Sequence, residues 1–180
     1  MVLPRLRGRW IGAERRDGGG ARLASGFRIE HRLGVPAPAP AVWAVLADIG
    51  RWPEWNPMYP KAEGVLRIGA QLALTEAASS QAPQDMTPTI IDWVPEIQIL
   101  WRLSERKGLI QRLRYIEIDK LTDEACIVSN GENWSGRLAP FVGRPRRRAI
   151  RAAFEAMNEA LRDRAVALWR SRGGEPTSGA

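Results

Sequence analysis

The sequence has very little of the chemistry that metal and covalent cofactor sites usually need. Cys126 is the single cysteine and His31 the single histidine. An internal disulfide is therefore excluded, and a zinc site built from sulfur and nitrogen ligands is not expected. No Cys-His or Ser-His-Asp arrangement stands out, and no glycine-rich phosphate loop precedes a strand-helix unit. We expect no metal and no cofactor, and interpret His31 as a core histidine with a hydrogen-bonded ring.

Long apolar runs are also missing. No stretch approaches the roughly 20 residues of a membrane span, and no apolar segment follows the first arginines to form a signal peptide. These absences predict a cytoplasmic protein. A chain of 180 residues is expected to form one domain with a single core.

Lysine is scarce, and the net charge of +7 is carried mainly by arginines in two regions, residues 1–26 and 144–151. Neither region alternates cations with aromatic side chains, so nucleic acid is not expected as a partner. The second region is a candidate contact for an anionic membrane surface, and a solvated basic surface is the alternative. Its members are Arg144, Arg146, Arg147, Arg148 and Arg151.

The hydrophobic pattern divides the chain into three parts. Residues 1–26 contain three consecutive glycines and no period, which predicts a flexible basic extension. Residues 27–170 form the predicted domain, and residues 171–180 a tail. Within the domain, alternation over 27–35 predicts a half-buried strand. Three prolines follow, so the first short helix is predicted to begin only at Ala41. A compact turn or a second short helix is predicted around Trp52 and Trp55.

Strand-like runs occupy residues 61–134, including one at 65–68 and two hairpins. In the first hairpin we expect Trp93 opposite Ile97. In the second, symmetry about the turn pairs Arg114 with Glu132 and Ile116 with Asn130.

A long helix is predicted from Pro145 to Arg170, because apolar residues recur there at steps of three and four. Glycines follow it at once. Strands without an alternating βαβ pattern, followed by this helix, indicate the α+β class with an antiparallel sheet.

Three segments, AVWAVLADIGRWPEWNP, ENWSGRLAP and FEAMNEALRDRA, resemble the SRPBCC or START-like superfamily, in particular its bacterial polyketide cyclase/dehydrase and lipid-transport branch. The resemblance covers about residues 27 to 170. It implies a helix-grip fold, in which a curved sheet of about seven strands surrounds the C-terminal helix and leaves an apolar cavity. The same fold hosts carriers, sensors and enzymes, so the function stays open.

A cavity of this kind predicts an apolar ligand site with a few polar groups. The expected lining is Trp93, Ile99, Trp101, Ile116, Val128, Asn130, Glu132, Trp134, Phe154, Met157 and Leu161. For the aliphatic residues, plain core packing is the alternative. Trp52, Trp55, Asn56 and Tyr59 are expected beside the cavity, as an entrance lid or as a structural plug.

Glu132 and Arg114 are the candidate catalytic residues. If their shared face points inward they form a buried charge pair, and the carboxylate is a candidate general base for ring closure. A structural cross-strand pair is the alternative.

Three functions follow from these observations. The favoured one is binding or transport of a hydrophobic or aromatic small molecule, lipid-like or polyketide-like. The second is a polyketide cyclase or dehydratase. The third is a basic protein that binds membrane surfaces or nucleic acid.

Overall fold

The structure is a computed structural model that describes residues 26–78 and 82–173. Residues 1–25 of the flexible extension expected at 1–26, and residues 174–180 of the tail expected at 171–180, therefore lie outside the described residues. The elements, in chain order, are β1 (Phe27–Val35), α1 (Ala39–Ala47), a 3₁₀ helix (Ile49–Glu54), β2 (Lys61–Glu63), β3 (Ala73–Glu76), β4 (Gln84–Met86), β5 (Thr89–Val94), β6 (Gln98–Glu105), a 3₁₀ turn (Arg106–Gly108), β7 (Ile110–Lys120), β8 (Cys126–Ser135) and α2 (Ala139–Ser171).

The strands form two antiparallel sheets. The larger has the order β1-β8-β7-β6-β5, and the smaller has the order β2-β3-β4. A single bridge between Gln71 and Thr89 connects them. The α+β class, the two short helices after β1 and the long C-terminal helix are confirmed, and the described residues contain eight strands in place of about seven. The predicted strand at 65–68 is wrong: Val65 and Ile68 are 61% and 63% exposed, in a loop between two glycines of positive φ.

The two hairpins differ in how well their registers were predicted. In the β7-β8 hairpin, Arg114 pairs with Glu132 and Ile116 with Asn130, as expected. In the β5-β6 hairpin, Trp93 pairs with Ile99 and not with Ile97. Ile97 belongs to the turn, where its N–H donates to the Val94 carbonyl at 3.1 Å. The turn is therefore longer than the sequence indicated, and a bulge between Ile90 and Asp92 shifts the register again.

Both helices begin earlier than predicted. Helix α1 starts at Ala39 with Pro40 in its first turn, where the missing N–H has no helical partner to lose. Helix α2 starts at Ala139, six residues before Pro145, and contains Pro145 in its interior. The hydrogen bond that Pro145 removes is the one to the carbonyl of Phe141, whose side chain is 77% exposed.

The inner face of α2 packs on β1, β8 and α1. Its apolar residues at helical spacing are buried, as the periodicity predicted, and Leu168 is half-buried. Burial of each large side chain contributes roughly 1.5–3 kcal/mol. The residues concerned are Ile150, Phe154, Met157, Leu161 and Ala165.

Gly143 brings the start of α2 against the sheet. A Cβ at this position would lie 2.4 Å from Cζ of Phe27 and 2.7 Å from Cε3 of Trp134. The two rings are themselves stacked, with centroids 5.8 Å apart. Neither ring moves freely, so the helix itself must shift if a side chain is added here.

We expect Gly143→Ala to lower the free energy of unfolding by about 1–2 kcal/mol, because overpacking typically costs 1–3 kcal/mol and exceeds the gain in helix propensity. Denaturant unfolding measures the change. Gly34→Ala is the control, since a Cβ there meets nothing within 4 Å. Equal stability of the two variants would contradict the close packing.

Candidate functional site

Strand β7 places two arginines in the protein interior. Its inward-facing residues alternate, so Arg112 and Arg114 share a face with Ile116 and Ile118. Their side chains are only 7% and 2% exposed. A buried guanidinium is costly unless carboxylates and hydrogen bonds satisfy it, and the next elements supply both.

Glu76 at the end of β3 holds both arginines. Nη2 of Arg112 donates to Oε1 and Oε2 of Glu76 at 2.8 and 2.9 Å. Nη1 of Arg114 donates to the same Oε1 at 2.9 Å. Glu76 therefore ties the small sheet to β7 of the large sheet.

The ion pair expected between Arg114 and Glu132 is not the one formed. The two residues are cross-strand partners and both are buried, but the Glu132 carboxylate accepts from Nε of Arg112. Arg112 lies two residues along β7, on the same face and diagonally opposite Glu132. Arg114 is held by Glu76, a residue of the other sheet that the hairpin register alone does not reveal.

Aromatic rings complete the surroundings of both guanidinium groups. The Arg112 guanidinium lies 4.9 Å from the ring centroid of Trp134. The Arg114 guanidinium lies 4.4 Å from Phe154, 5.4 Å from Tyr59 and 5.9 Å from Trp101. Cation-π contacts of this kind gain strength when water is excluded. We call Glu76, Arg112, Arg114 and Glu132 the buried charge network.

Burial and charge act in opposite directions on this network. Burial raises the pKa of Glu76, but the guanidinium groups of Arg112 and Arg114 outweigh it and hold that pKa below its usual range. Burial lowers the pKa of Arg112, but Glu132 and Glu76 raise it well above the ordinary value. Tyr59 has a raised pKa, because burial disfavours its phenolate. Its hydroxyl is therefore protonated at neutral pH.

Several polar atoms around the network are buried without a hydrogen-bond partner among the described residues. Such atoms are few in native proteins, and each costs about 1–3 kcal/mol if left unsatisfied. They are Tyr59 Oη, Arg114 Nε, Asn130 Oδ1, Glu132 Oε2 and Trp134 Nε1.

The space between the sheet and α2 is largely filled by these side chains, whereas the resemblance implied an apolar cavity. The cavity that adjoins the network measures about 20 Å³, which is roughly the room for one water molecule. It lies between β3-β4 and the start of α2. Its lining is Glu76, Ala78, Gln84, Arg112, Trp134, Arg146 and Ile150.

Ten of the eleven residues expected to line the cavity are buried in the core. They are Ile99, Trp101, Ile116, Val128, Asn130, Glu132, Trp134, Phe154, Met157 and Leu161. Trp93 is the exception, since it is half-buried and stacks on Trp43 of α1. Nδ2 of Asn130 contacts Sδ of Met157 at 3.2 Å. Nδ1 of His31 lies 3.1 Å from Nδ2 of Asn158, which agrees with a hydrogen-bonded ring.

The residues expected as a lid or plug divide between the core and the surface. Trp52, Asn56 and Tyr59 are buried, with Trp52 stacked on Tyr59 at 5.4 Å. Trp55 is half-buried and lines an outer groove of about 250 Å³ between α1 and the end of α2.

Glu76 and Arg112 are the site residues that sequence reasoning missed. A signal existed for both. Glu76 continues the step of two set by the apolar Leu72 and Leu74, and Arg112 precedes the singled-out Arg114 by two. What no local pattern shows is that these two strands, from different sheets, meet.

The arginine cluster lies further along its helix than predicted. Arg144 is the sixth residue of α2, so it lies beyond the first turn, where a positive charge would interact unfavourably with the helix dipole. Arg146 lines the small cavity, whereas Arg144, Arg147, Arg148 and Arg151 are exposed. No described helix is long and apolar enough to cross a membrane. No group of three or more metal-ligating side chains occurs within residues 26–78 and 82–173.

A family model described as polyketide cyclase / dehydrase and lipid transport matches residues 27–168. The chain belongs to this family. The match covers both sheets, the buried charge network and nearly all of α2, and it confirms the resemblance to the SRPBCC superfamily. No curated protein sequence matches the chain significantly.

Solved structures place this family member in the START-like, helix-grip fold. Norcoclaurine synthase from Thalictrum flavum, in complex with dopamine and hydroxybenzaldehyde, is 17% identical with a TM-score of 0.64, covering 87% of this chain and 98% of that one. A START superfamily protein from Mycobacterium smegmatis is 18% identical with a TM-score of 0.64, covering 78% and 98%. The Zhui aromatase/cyclase from Streptomyces sp. R1128 is 20% identical with a TM-score of 0.61, covering 87% and 100%. None of these descriptions mentions a membrane surface, so they lend no support to a membrane contact at the arginines.

We expect Glu76→Gln to lower the free energy of unfolding by about 3–5 kcal/mol, because it leaves a buried guanidinium without its carboxylate. Denaturant unfolding at neutral pH measures the loss. Glu54→Gln is the control, since the ion pairs of Glu54 with Arg51 and Arg164 are both exposed and such pairs contribute at most about 1 kcal/mol each.

The unaltered protein and Glu76→Gln also test how the free energy of unfolding depends on pH. Because the guanidinium groups hold the pKa of Glu76 in the folded state below its ordinary value of 4.5, its contribution to stability is complete above that pH and is lost as the pH falls through the folded-state pKa. Glu76→Gln should flatten this acid limb, whereas an unchanged limb would contradict the role given to Glu76.

Proposed function

We propose that this protein binds a hydrophobic or aromatic small molecule between its large sheet and α2. The observation that carries the proposal is the set of unpartnered polar atoms in the aromatic interior. Oε2 of Glu132, Nε of Arg114 and the hydroxyl of Tyr59 are all buried. Apolar walls with a few convergent polar groups are typical of ligand sites.

The family supports a ligand of this class. Its description names polyketides and lipids, and a solved structure of similar fold holds dopamine and hydroxybenzaldehyde. The expected lining residues, including Trp101, Trp134 and Phe154, supply flat apolar surfaces beside the network.

A ligand larger than one water molecule requires the interior to open. Helix α2 packs chiefly on β1, β8 and α1, and the small cavity lies at its border with β3-β4. We infer that the ligand enters there, between Ala78 and Gln84 on one side and Ile150 on the other. Displacement of α2 from the small sheet breaks few of the helix's principal contacts.

Cyclase or dehydratase chemistry is the weaker proposal. Glu132 and Arg114 were the candidates for base and orienting cation, and Oε2 of Glu132 is free to accept a proton. The other oxygen is bonded to Arg112, so this carboxylate already serves a buried ion pair. Binding needs only the polar contacts and the apolar walls.

We expect Ala78→Phe to weaken binding of flat apolar compounds by about tenfold or more, because the new ring fills the inferred entrance. Quenching of tryptophan fluorescence on titration with polyphenols and apolar aromatics measures the affinity. Ala44→Phe is the matched control, since Ala44 lines the outer groove of about 250 Å³. The reverse pattern would place the ligand in that groove, and no binding by any variant would count against the proposal.

A second candidate function rests on a different surface, a basic-apolar patch at the start of α2. Its members are Arg106, Lys107, Leu109, Arg137, Phe141, Arg144 and Arg148. Phe141 is 77% and Leu109 42% exposed, and the Leu138 N–H donates to the Leu109 carbonyl at 3.1 Å, which joins the turn to the helix. No acidic residue occurs in 106–111 or 136–151. We propose that the patch binds an anionic lipid surface, with Phe141 inserted among the headgroups.

Phe141→Ser and the double variant Arg144→Glu/Arg148→Glu should each reduce sedimentation with vesicles that contain phosphatidylserine, since each cation near such a surface contributes about 1 kcal/mol. Ile68→Ser and Arg67→Glu/Arg170→Glu are the controls, because these residues are equally exposed elsewhere. Unchanged sedimentation of the first two variants would contradict the proposal. Stronger retention on duplex DNA, insensitive to Phe141→Ser, would indicate nucleic acid as the partner.

A further inference from the structure

The buried charge network is electrically balanced. Two carboxylates, Glu76 and Glu132, face two guanidinium groups, Arg112 and Arg114, and all four side chains are at most 10% exposed. A third carboxylate, that of Glu105, lies nearer the surface, with its side chain 35% exposed. Its Oε1 is 3.2 Å from Nη1 of Arg112. No cation of the network is left over for an anionic ligand.

Arg112 shows this most clearly. All three of its guanidinium nitrogens contact carboxylates: Nε contacts Glu132, Nη2 contacts Glu76 and Nη1 contacts Glu105. On Arg114, Nη1 donates to Glu76 and Nη2 contacts Sδ of Met58. Only Nε of Arg114 remains without a partner. On the two guanidinium groups an ionised carboxylate would therefore find a single free donor, and it would be buried together with the carboxylate of Glu132.

The unpartnered atoms need a group that both donates and accepts. Oε2 of Glu132 can only accept a hydrogen bond when ionised, whereas Nε of Arg114 and Nε1 of Trp134 can only donate one. The Tyr59 hydroxyl can do either. A hydroxyl group on the ligand satisfies both kinds of atom, while a carboxylate satisfies only the donors and adds a buried charge without a partner.

We propose that this site selects uncharged molecules that carry a hydroxyl group on an apolar body, as phenols and long-chain alcohols do, and excludes ionised carboxylates such as fatty-acid anions. The proposal rests on the small-molecule function above, and it narrows the ligand class by charge. The hydroxyl lies between Glu132 and Arg114, and the apolar body lies against the aromatic rings.

Matched ligand pairs test the proposal on the unaltered full-length protein. The pairs are 2-naphthol with 2-naphthoate, and a long-chain alcohol with the fatty acid of equal chain length, each measured by calorimetry at neutral pH. We expect the hydroxyl compound of each pair to bind at least about tenfold more tightly. Equal or tighter binding of the carboxylates overturns the charge selection but leaves the small-molecule function intact. Binding of neither member contradicts the small-molecule function itself.

Removal of one negative charge should change the selectivity. Glu132→Gln removes one of the three carboxylates that contact the two guanidinium groups, so a bound anion meets one negative charge fewer and the ratio of naphthoate to naphthol affinity should rise by about tenfold. Glu63→Gln is the control with the same change in net charge at an exposed residue of β2, and its ratio should equal that of the unaltered protein. An unchanged ratio in Glu132→Gln overturns the proposal. If that variant does not fold, the ligand pairs on the unaltered protein decide alone.

Discussion

Two guanidinium groups in the middle of the core are the constraint on which this structure depends. A buried charge is destabilising unless it is paired and hydrogen-bonded, so Arg112 and Arg114 require Glu76 and Glu132 within reach. Glu132 comes from the neighbouring strand, but Glu76 comes from the other sheet. The ion pairs therefore fix the position of one sheet relative to the other. Apolar packing alone would specify that position less narrowly.

The aromatic residues follow from the same constraint. Trp134, Phe154 and Tyr59 cover the faces of the two guanidinium groups and exclude water from them. Exclusion of water strengthens the ion pairs, and it also leaves neighbouring polar atoms without partners. The interior thus combines rigid packing with unsatisfied hydrogen-bonding capacity. That combination is poorly explained by stability alone, and it is well suited to a ligand with one polar group.

The basic residues discussed above fall into two groups, those of the buried charge network and those of the exposed patch at the start of α2. The two groups differ in whether carboxylates surround them. Inside, Arg112 and Arg114 are both paired with carboxylates, and neither cation is left unpaired. Outside, no acidic residue occurs in 137–151, and the cations of this stretch lie on both sides of the exposed Phe141 in the sequence. The overall charge of +7 therefore says nothing about the charge of a bound ligand.

The sequence by itself determined the α+β class, the inward face of α2 and the register of the β7-β8 hairpin, because each depends on a local period or a short turn. It misplaced Trp93 in the β5-β6 hairpin, since a longer turn and a bulge leave no distinct local signal. The start predicted for α2 at Pro145 is also too late, because a proline is typical of the first turn of a helix and this one lies in the interior. The ion-pair partners of Arg112 and Arg114 were decided only by the tertiary structure. Glu76 is more than thirty residues away in the chain, and only the packing of one sheet against the other brings its carboxylate to them.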